Sequence, residues 1–395
     1  MACISVTDGS DRQAYTLTRY LYAKDECIIM FISSLLTKKV KESYYWVCEL
    51  YLSGYDICNL FWNIYYDFYF DFNPKLEIFI RKKFKKIITI ETYFHIIQNL
   101  IQCKNSSRIF MMRQLIEGFT SNKLMHHKYN IRGRKPKYCN NIEKKYQNLI
   151  ICIYKKDYEG IAHHIYQLLI LEQCNEYELF ANIINFYIEN MCQNNYSGGV
   201  EQIKGIYSKF LNINKHKKIP NYVLFISVIV NFIDQIAGSE DKIIPICLFD
   251  KNDCESIYKH ENTSEYKIYH TLPIKRLYHI DACIGSFNLS RNIFDDLQKD
   301  VLAKWEYYTQ GTPCWDERFH YFRASFTCDY KIKFENDDLL EDFYDSYGYE
   351  PDEQSKKIQD QSIGVIDDVS WKIWYDLHFK DEPCVVFEPN FKFTY

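Results

Sequence analysis

Two short basic runs carry the residue types best suited to contact with phosphate. Arg81-Lys82-Lys83-Phe84-Lys85-Lys86 and Arg132-Gly133-Arg134-Lys135-Pro136-Lys137 are each built almost wholly of cations. Such runs bind nucleic acid by displacing the counterions condensed on its backbone. The second run also has the logic of a minor-groove reader. Glycine lets the chain lie close to the groove floor, the flanking arginines enter the negative potential of an A·T tract, and proline turns the chain away. Lys135 departs from that pattern, because it stands where proline would directly follow Arg134. The candidate nucleic-acid-binding residues are Arg81, Lys82, Lys83, Lys85, Lys86, Arg132, Arg134, Lys135 and Lys137. Lys75, Arg108, Arg113, Lys123 and Lys128 would extend the same face, with Phe84 and Tyr129 available for stacking. A solvated helix face, a basic loop or a surface for an acidic protein would show the same residues, so these readings stay open beside the first.

Other chemistries find less support. The 15 cysteines include no pair two residues apart. The nearest zinc-like groupings are Cys247/Cys254/His260, His279/Cys283 and Cys314/His320/Cys328, all looser than the close pairs zinc normally takes. His126-His127 and His163-His164 are adjacent in sequence, which on a helix points neighbouring rings to different faces. The acids Glu335, Asp337, Asp338, Glu341, Asp342 and Asp345 suit a hard cation by ligand type. They equally suit a solvated helix start. Nucleophile-elbow, phosphate-loop and dinucleotide-binding glycine patterns are absent from the sequence. No catalytic residue, metal site or cofactor is assigned.

The elements that would position these groups read as helices. In residues 44–74, YYWVCELYLSGYDICNLFWNIYYDFYFDFNP, two stripes recur at alternating steps of three and four. One runs through Tyr44, Cys48, Tyr51, Tyr55, Cys58, Trp62, Tyr65, Tyr69 and Phe72, the other through Val47, Leu50, Gly54, Ile57, Phe61, Ile64 and Phe68. The acids Glu49, Asp56, Asp67 and Asp71 argue against a membrane span, since each is costly in hydrocarbon. A buried helix, bent or divided at Ser53-Gly54 and ended at Asn73-Pro74, is expected. Helical spacing continues through 75–101 and 107–119. After a basic loop it resumes in 142–154, 157–172, 176–193, 200–212 and 221–236.

Beyond residue 240 short apolar runs broken by Pro, Gly, Asn and Asp alternate with acidic helical stretches, among them a strand at 328–334 and a helix in DDLLEDFYDSYG. The expected fold is mainly α, an N-terminal multi-helix domain followed by a smaller mixed α+β region. The expected divisions are 1–121 (an aromatic-rich helical subdomain), 122–141 (a basic loop), 142–238 (a helical array) and 239–395 (an acidic α+β region).

Charge is unevenly distributed although the formal net is only −4. Lys75–Lys145 holds 17 basic and four acidic residues, and Asp281–Tyr395 holds 12 basic and 24 acidic ones. Two faces of opposite sign would meet different partners or each other. The aromatic share of 17%, with 35 Tyr and 27 Phe, is explained for the most part by AT-rich codon usage, ahead of selection for a binding surface. The start MACISVTDGSDR has no apolar run before a cleavage site, and the odd cysteine count is not that of a disulfide scaffold. Reduced thiols and a cytosolic setting are expected.

The aromatic stretch, together with NLSRNIF, EYYTQGTPCWDERFHYF and YDSYGYEPDEQSKKIQDQSI, resembles an uncharacterised family of nucleocytoplasmic large DNA viruses, the giant viruses with AT-rich genomes. The resemblance runs across most of the chain and is less clear in its middle. It implies a viral protein located in the host cytoplasm, in the viral factory or the virion, and it brings no catalytic residue with it. The function expected is that of a non-enzymatic helical interaction or scaffold protein with protein partners and no membrane span. The alternative is a nucleic-acid-binding protein using residues 81–86 and 132–137.

Overall fold

A computed structural model describes residues 16–120, 142–191, 219–236 and 300–347 except Leu302, with isolated residues in 205–212, 252–259 and 355–356. The described chain is mainly α-helical, with one two-stranded sheet near the C-terminal end. The helices of the first stretch are α1 (Lys24–Leu36), α2 (Val40–Leu52), α3 (Cys58–Ile64), α4 (Leu76–Phe84), α5 (Ile90–Gln102) and α6 (Arg108–Thr120). There follow α7 (Lys144–Lys155), α8 (Tyr158–Ile165), α9 (Glu176–Met191) and α10 (Asn221–Ile236). The last stretch carries α11 (Trp305–Tyr308), α12 (Pro313–Tyr321), β1 (Ser325–Phe326), β2 (Ile332–Lys333) and α13 (Asp337–Tyr347).

The aromatic stretch is divided at Ser53-Gly54, as its sequence allowed, into two helices. α2 stops at Leu52 because Gly54 takes φ +88°, a left-handed conformation that glycine adopts without the penalty of a Cβ. α3 then runs on into a π-helical turn, Tyr65–Tyr69, in which one extra residue shifts the stripe of side chains. Both stripes are largely buried. Phe61 stacks on Tyr93 at 5.1 Å, Trp62 on Tyr66 at 5.9 Å, and Phe68 on Phe110 of α6 at 5.0 Å. Such offset ring pairs stabilise a core beyond the area they bury.

The amphipathic span 75–101 is divided as well. Thr89 and Thr92 form a capping box that starts α5 afresh, and the β-branched Ile87-Ile88-Thr89 leave the helix between the two elements. α1 packs on α2 and α2 on α5, while α8 lies against both α6 and α7. α10 packs on α6 and on the π turn.

The 300–347 stretch docks directly on residues 17–18 and on Ser53. Leu17 N donates to Tyr308 O at 2.9 Å, Thr312 Oγ1 to Leu17 O at 2.6 Å, and Trp315 Nε1 to Thr18 O at 3.1 Å. Cys314 N donates to Ser53 O at 3.2 Å. Behind that seam Phe343, fully buried, is enclosed by Trp305, Trp315, Phe319, Phe322 and Phe334. The strand expected over 328–334 is reduced to Ile332–Lys333, paired antiparallel with Ser325–Phe326. The boundaries expected at 121/122 and 238/239 lie at or outside the edges of the described residues.

Candidate interaction surfaces and a buried charge network

A charged side chain in an apolar helix interior is stable only when paired and hydrogen-bonded. Three of the four acids in the aromatic stretch meet that condition. Glu49 of α2 accepts from Thr18 Oγ1 at 2.6 Å, Tyr20 N at 2.8 Å and Arg19 Nη2 at 3.3 Å. Asp67, within the π turn, accepts from Arg113 Nε at 2.9 Å and Nη2 at 2.7 Å. Asp71 accepts from Arg108 Nε at 2.9 Å. The fourth, Asp56, lies outside a helix and accepts from Cys58 N at 3.0 Å, at the start of α3.

Arg108 and Arg113 each serve several elements. Arg108 also donates to Asp234 of α10, through Nη2 at 2.6 Å and Nη1 at 3.2 Å, and to the Tyr158 hydroxyl of α8 at 3.1 Å. Arg113 Nη1 donates to Glu117 at 2.7 Å, and the Tyr222 hydroxyl of α10 reaches the same carboxylate at 3.2 Å. Burial disfavours both guanidinium charges, but the adjoining carboxylates outweigh it and hold both above the ordinary arginine range. Burial pushes the Asp71 carboxyl up to about 6, against the pull of Arg108 and with the push of Asp234. It raises Asp67 too, against Arg113. Arg108 and Arg113, expected to extend a phosphate-binding face, are instead committed to internal pairs. The reason is that a buried carboxylate is stable only beside a cation, which these two arginines supply.

The first basic run is split by the same logic. Arg81 turns back to Glu77 at 3.3 Å on the preceding helical turn. Lys83 reaches His95 Nδ1 of α5 and lies 5.5 Å from the Phe79 ring centre; burial, followed by repulsion from Lys86, lowers its pKa. Phe84, offered as a stacking platform, packs edge-on against Phe61 and Trp62. Lys82, Lys85 and Lys86 are exposed at the end of α4 and the turn after it, and Lys75 is exposed at its start. Arg132, Arg134, Lys135 and Lys137 lie outside the described residues, as do Lys123, Lys128 and Tyr129.

Acidic character is displayed at the other end of the chain. Asn336, rather than an acid, caps α13 by accepting from Leu339 N at 2.9 Å. Glu335 pairs with Arg323 at 2.8 Å on the surface. Asp338, Asp342 and Asp345 fall on one face of α13 and, with Tyr321, Arg323 and Asn336, line an open cleft of about 730 Å³. Among the described residues no set of three or more His, Cys, Asp or Glu is placed to hold a metal ion. Of the zinc-like groupings only Cys314/His320/Cys328 falls within them. The His163 and His164 rings stand edge-on, 5.2 Å between centres, with His163 also against Phe119 and His164 Nδ1 3.1 Å from Gln167 Oε1.

Sequence reasoning missed the roles of Arg19, Arg108 and Arg113. The signal was present, since acids within an apolar stretch demand cationic partners from elsewhere in the chain. No helix among the described residues is long and apolar enough to cross a membrane. Comparison with known proteins found no matching family model, no matching curated protein and no matching solved structure.

Proposed function

We propose that this chain is a non-enzymatic, α-helical interaction protein of a giant virus, a scaffold or adaptor acting in the host cytoplasm, in the viral factory or the virion. The observation that supports this reading is how the charges are used. Arg19, Arg108 and Arg113 close internal pairs, whereas Lys82, Lys85 and Lys86 are exposed at the end of α4 and the turn after it. Internal pairs fix the architecture, and the outward lysines are left for a partner. The acidic face of α13 is a second surface, of opposite charge.

The test is affinity capture from the cells in which the protein is made, comparing the wild type with the triple variant Lys82→Glu/Lys85→Glu/Lys86→Glu. Partners held by the wild type and lost by an equally stable variant are expected. Catalytic turnover by the purified protein, abolished by one substitution in the α13 cleft, would overturn the reading.

The second reading is nucleic-acid binding through residues 81–86 and 132–137, favoured by the same outward lysines. Gel shifts with AT-rich duplex, GC-rich duplex and single-stranded RNA distinguish the two. Binding in this reading falls steeply with salt and weakens most on AT-rich duplex when Arg132 and Arg134 become Ala.

A further inference from the structure

The α4–α5 turn exposes apolar side chains among its lysines. Ile87 is 89% exposed, and Ile78 on α4 is 47% exposed. Ile78, Lys82 and Lys85 are spaced by four and three residues, so they share one outward stripe of the helix. Lys86 N still bonds to Lys83 O at 3.3 Å, which carries the helical path as far as the residue before Ile87. From Ile78 to Ile90 the sequence contains no acid, and Glu77, the nearest one before it, is buried and held by Arg81. The inward residues of the same stretch, Ile80 and Ile90, are buried in the core, so the outward isoleucines are surplus to it.

We propose that this tip docks on an anionic bilayer, with the Lys82, Lys85 and Lys86 ammonium groups on lipid phosphates and Ile87 and Ile78 at the boundary between headgroups and acyl chains. The inference rests on reading the outward lysines as an interaction surface, and it names the partner. A nucleic-acid backbone satisfies the lysines but offers no apolar phase to an isoleucine in water. An interfacial layer of anionic lipid supplies both. Three lysines and two isoleucines make a weak, reversible contact rather than an anchor.

The experiment is co-sedimentation of the full chain with vesicles of phosphatidylcholine alone and of phosphatidylcholine mixed with phosphatidylserine, at low and high salt. Labelled AT-rich duplex and single-stranded RNA are titrated in parallel. Binding to the phosphatidylserine vesicles, much weaker on neutral ones and reduced by salt, is expected. Lys85→Gln and Lys86→Gln should each weaken it about fivefold. Ile87→Ser should weaken it about tenfold. Lys331→Gln/Lys333→Gln, at exposed positions on the C-terminal hairpin, should leave it unchanged. Failure of the wild type to sediment with anionic vesicles at low salt overturns the proposal. So does vesicle binding that is indifferent to Ile87→Ser, or binding to duplex or RNA alone. If the vesicles fail while the charge-reversed triple variant still loses captured proteins, only the lipid assignment falls and the interaction reading stands.

Discussion

Arg113 grips Asp67 through two nearly parallel hydrogen bonds, Nε at 2.9 Å and Nη2 at 2.7 Å, and thereby fastens α6 to the π-helical turn of the aromatic stretch. The π turn carries an extra residue, and Asp67 lies within it. A fork of this kind fixes orientation as well as distance, because both partners are planar. Five residues earlier on α6, Arg108 donates to Asp71 through Nε and makes a two-oxygen fork with Asp234 of α10 through Nη1 and Nη2. The two arginines thus join four elements, the stretch around the π turn, α6, α8 and α10.

Removing one member of such a pair leaves a buried, uncompensated charge. Arg113→Leu is expected to cost about 3–5 kcal/mol of unfolding free energy. The double variant Asp67→Asn/Arg113→Leu should recover a substantial part of that loss, because no stranded carboxylate remains. Urea titrations of the wild type, the single and the double variant check this. A single variant within 1 kcal/mol of wild type would show that Arg113 holds nothing together.

The second pair makes stability depend on pH. The folded-state pKa of Asp71, pushed up to about 6 by burial and by Asp234, lies above the value near 3.9 of an unfolded aspartate. The folded protein therefore binds more protons than the unfolded chain between those values. The contribution of Asp71 is fully present below about pH 4 and declines as pH rises through about 6. Wild type should thus be favoured over Asp71→Asn more strongly at pH 4.5 than at pH 7.5. Denaturant midpoints at the two pH values measure it, and an unchanged or reversed difference would contradict the assignment.

Gly54 is a point where backbone and packing coincide. Its φ of +88° disfavours any side chain, and a Cβ there would lie 2.6 Å from Cβ of Pro313, the first residue of α12. Gly54→Ala should destabilise by about 2 kcal/mol or more. Because Cys314 N bonds to Ser53 O beside it, limited proteolysis should cut the 305–347 stretch sooner in the variant. Equal cleavage rates would mean that this seam does not hold that stretch in place.

The thiols give an independent check on the core. Cys27, Cys48, Cys58, Cys103 and Cys152 are buried, whereas Cys328 is exposed. Burial pushes the Cys152 thiol up to about 12 and that of Cys314, half-buried, up to about 11. Since the thiolate is the reactive form, Cys328 should label before any of these in native protein at pH 8. Mass spectrometry of the labelled peptides reads the order, and early labelling of Cys27 or Cys48 would contradict the packing.

Helix positions were largely legible because apolar side chains recur with the helical period. The apolar spacing over 221–236 coincides with α10, and that over 107–119 with α6 to within one residue. The break at Ser53-Gly54 was legible from glycine. The pause before α5 was not, since the residues at 85–89 fit an amphipathic pattern and only the Thr89–Thr92 cap divides it. The uses of the arginines were hidden for a different reason. A charge run shows how many cations a segment holds, but which are neutralised depends on tertiary neighbours such as Asp67, 46 residues from Arg113. Of the first basic run, Lys82, Lys85 and Lys86 face outward as a binding strip requires, while Arg81 and Lys83 are drawn inward by Glu77 and His95.

In the proposed function, Lys82, Lys85 and Lys86 form the surface that a partner covers. Lysine acetylation rates, read by mass spectrometry on the full chain alone and in an extract of the cells that make it, test this without assuming the partner's nature. Slower acetylation in the extract is expected at those three lysines, with the exposed Lys38, Lys331 and Lys333 unaffected. Equal rates at Lys82, Lys85 and Lys86 in both samples, or protection confined to Lys331 and Lys333, would contradict it.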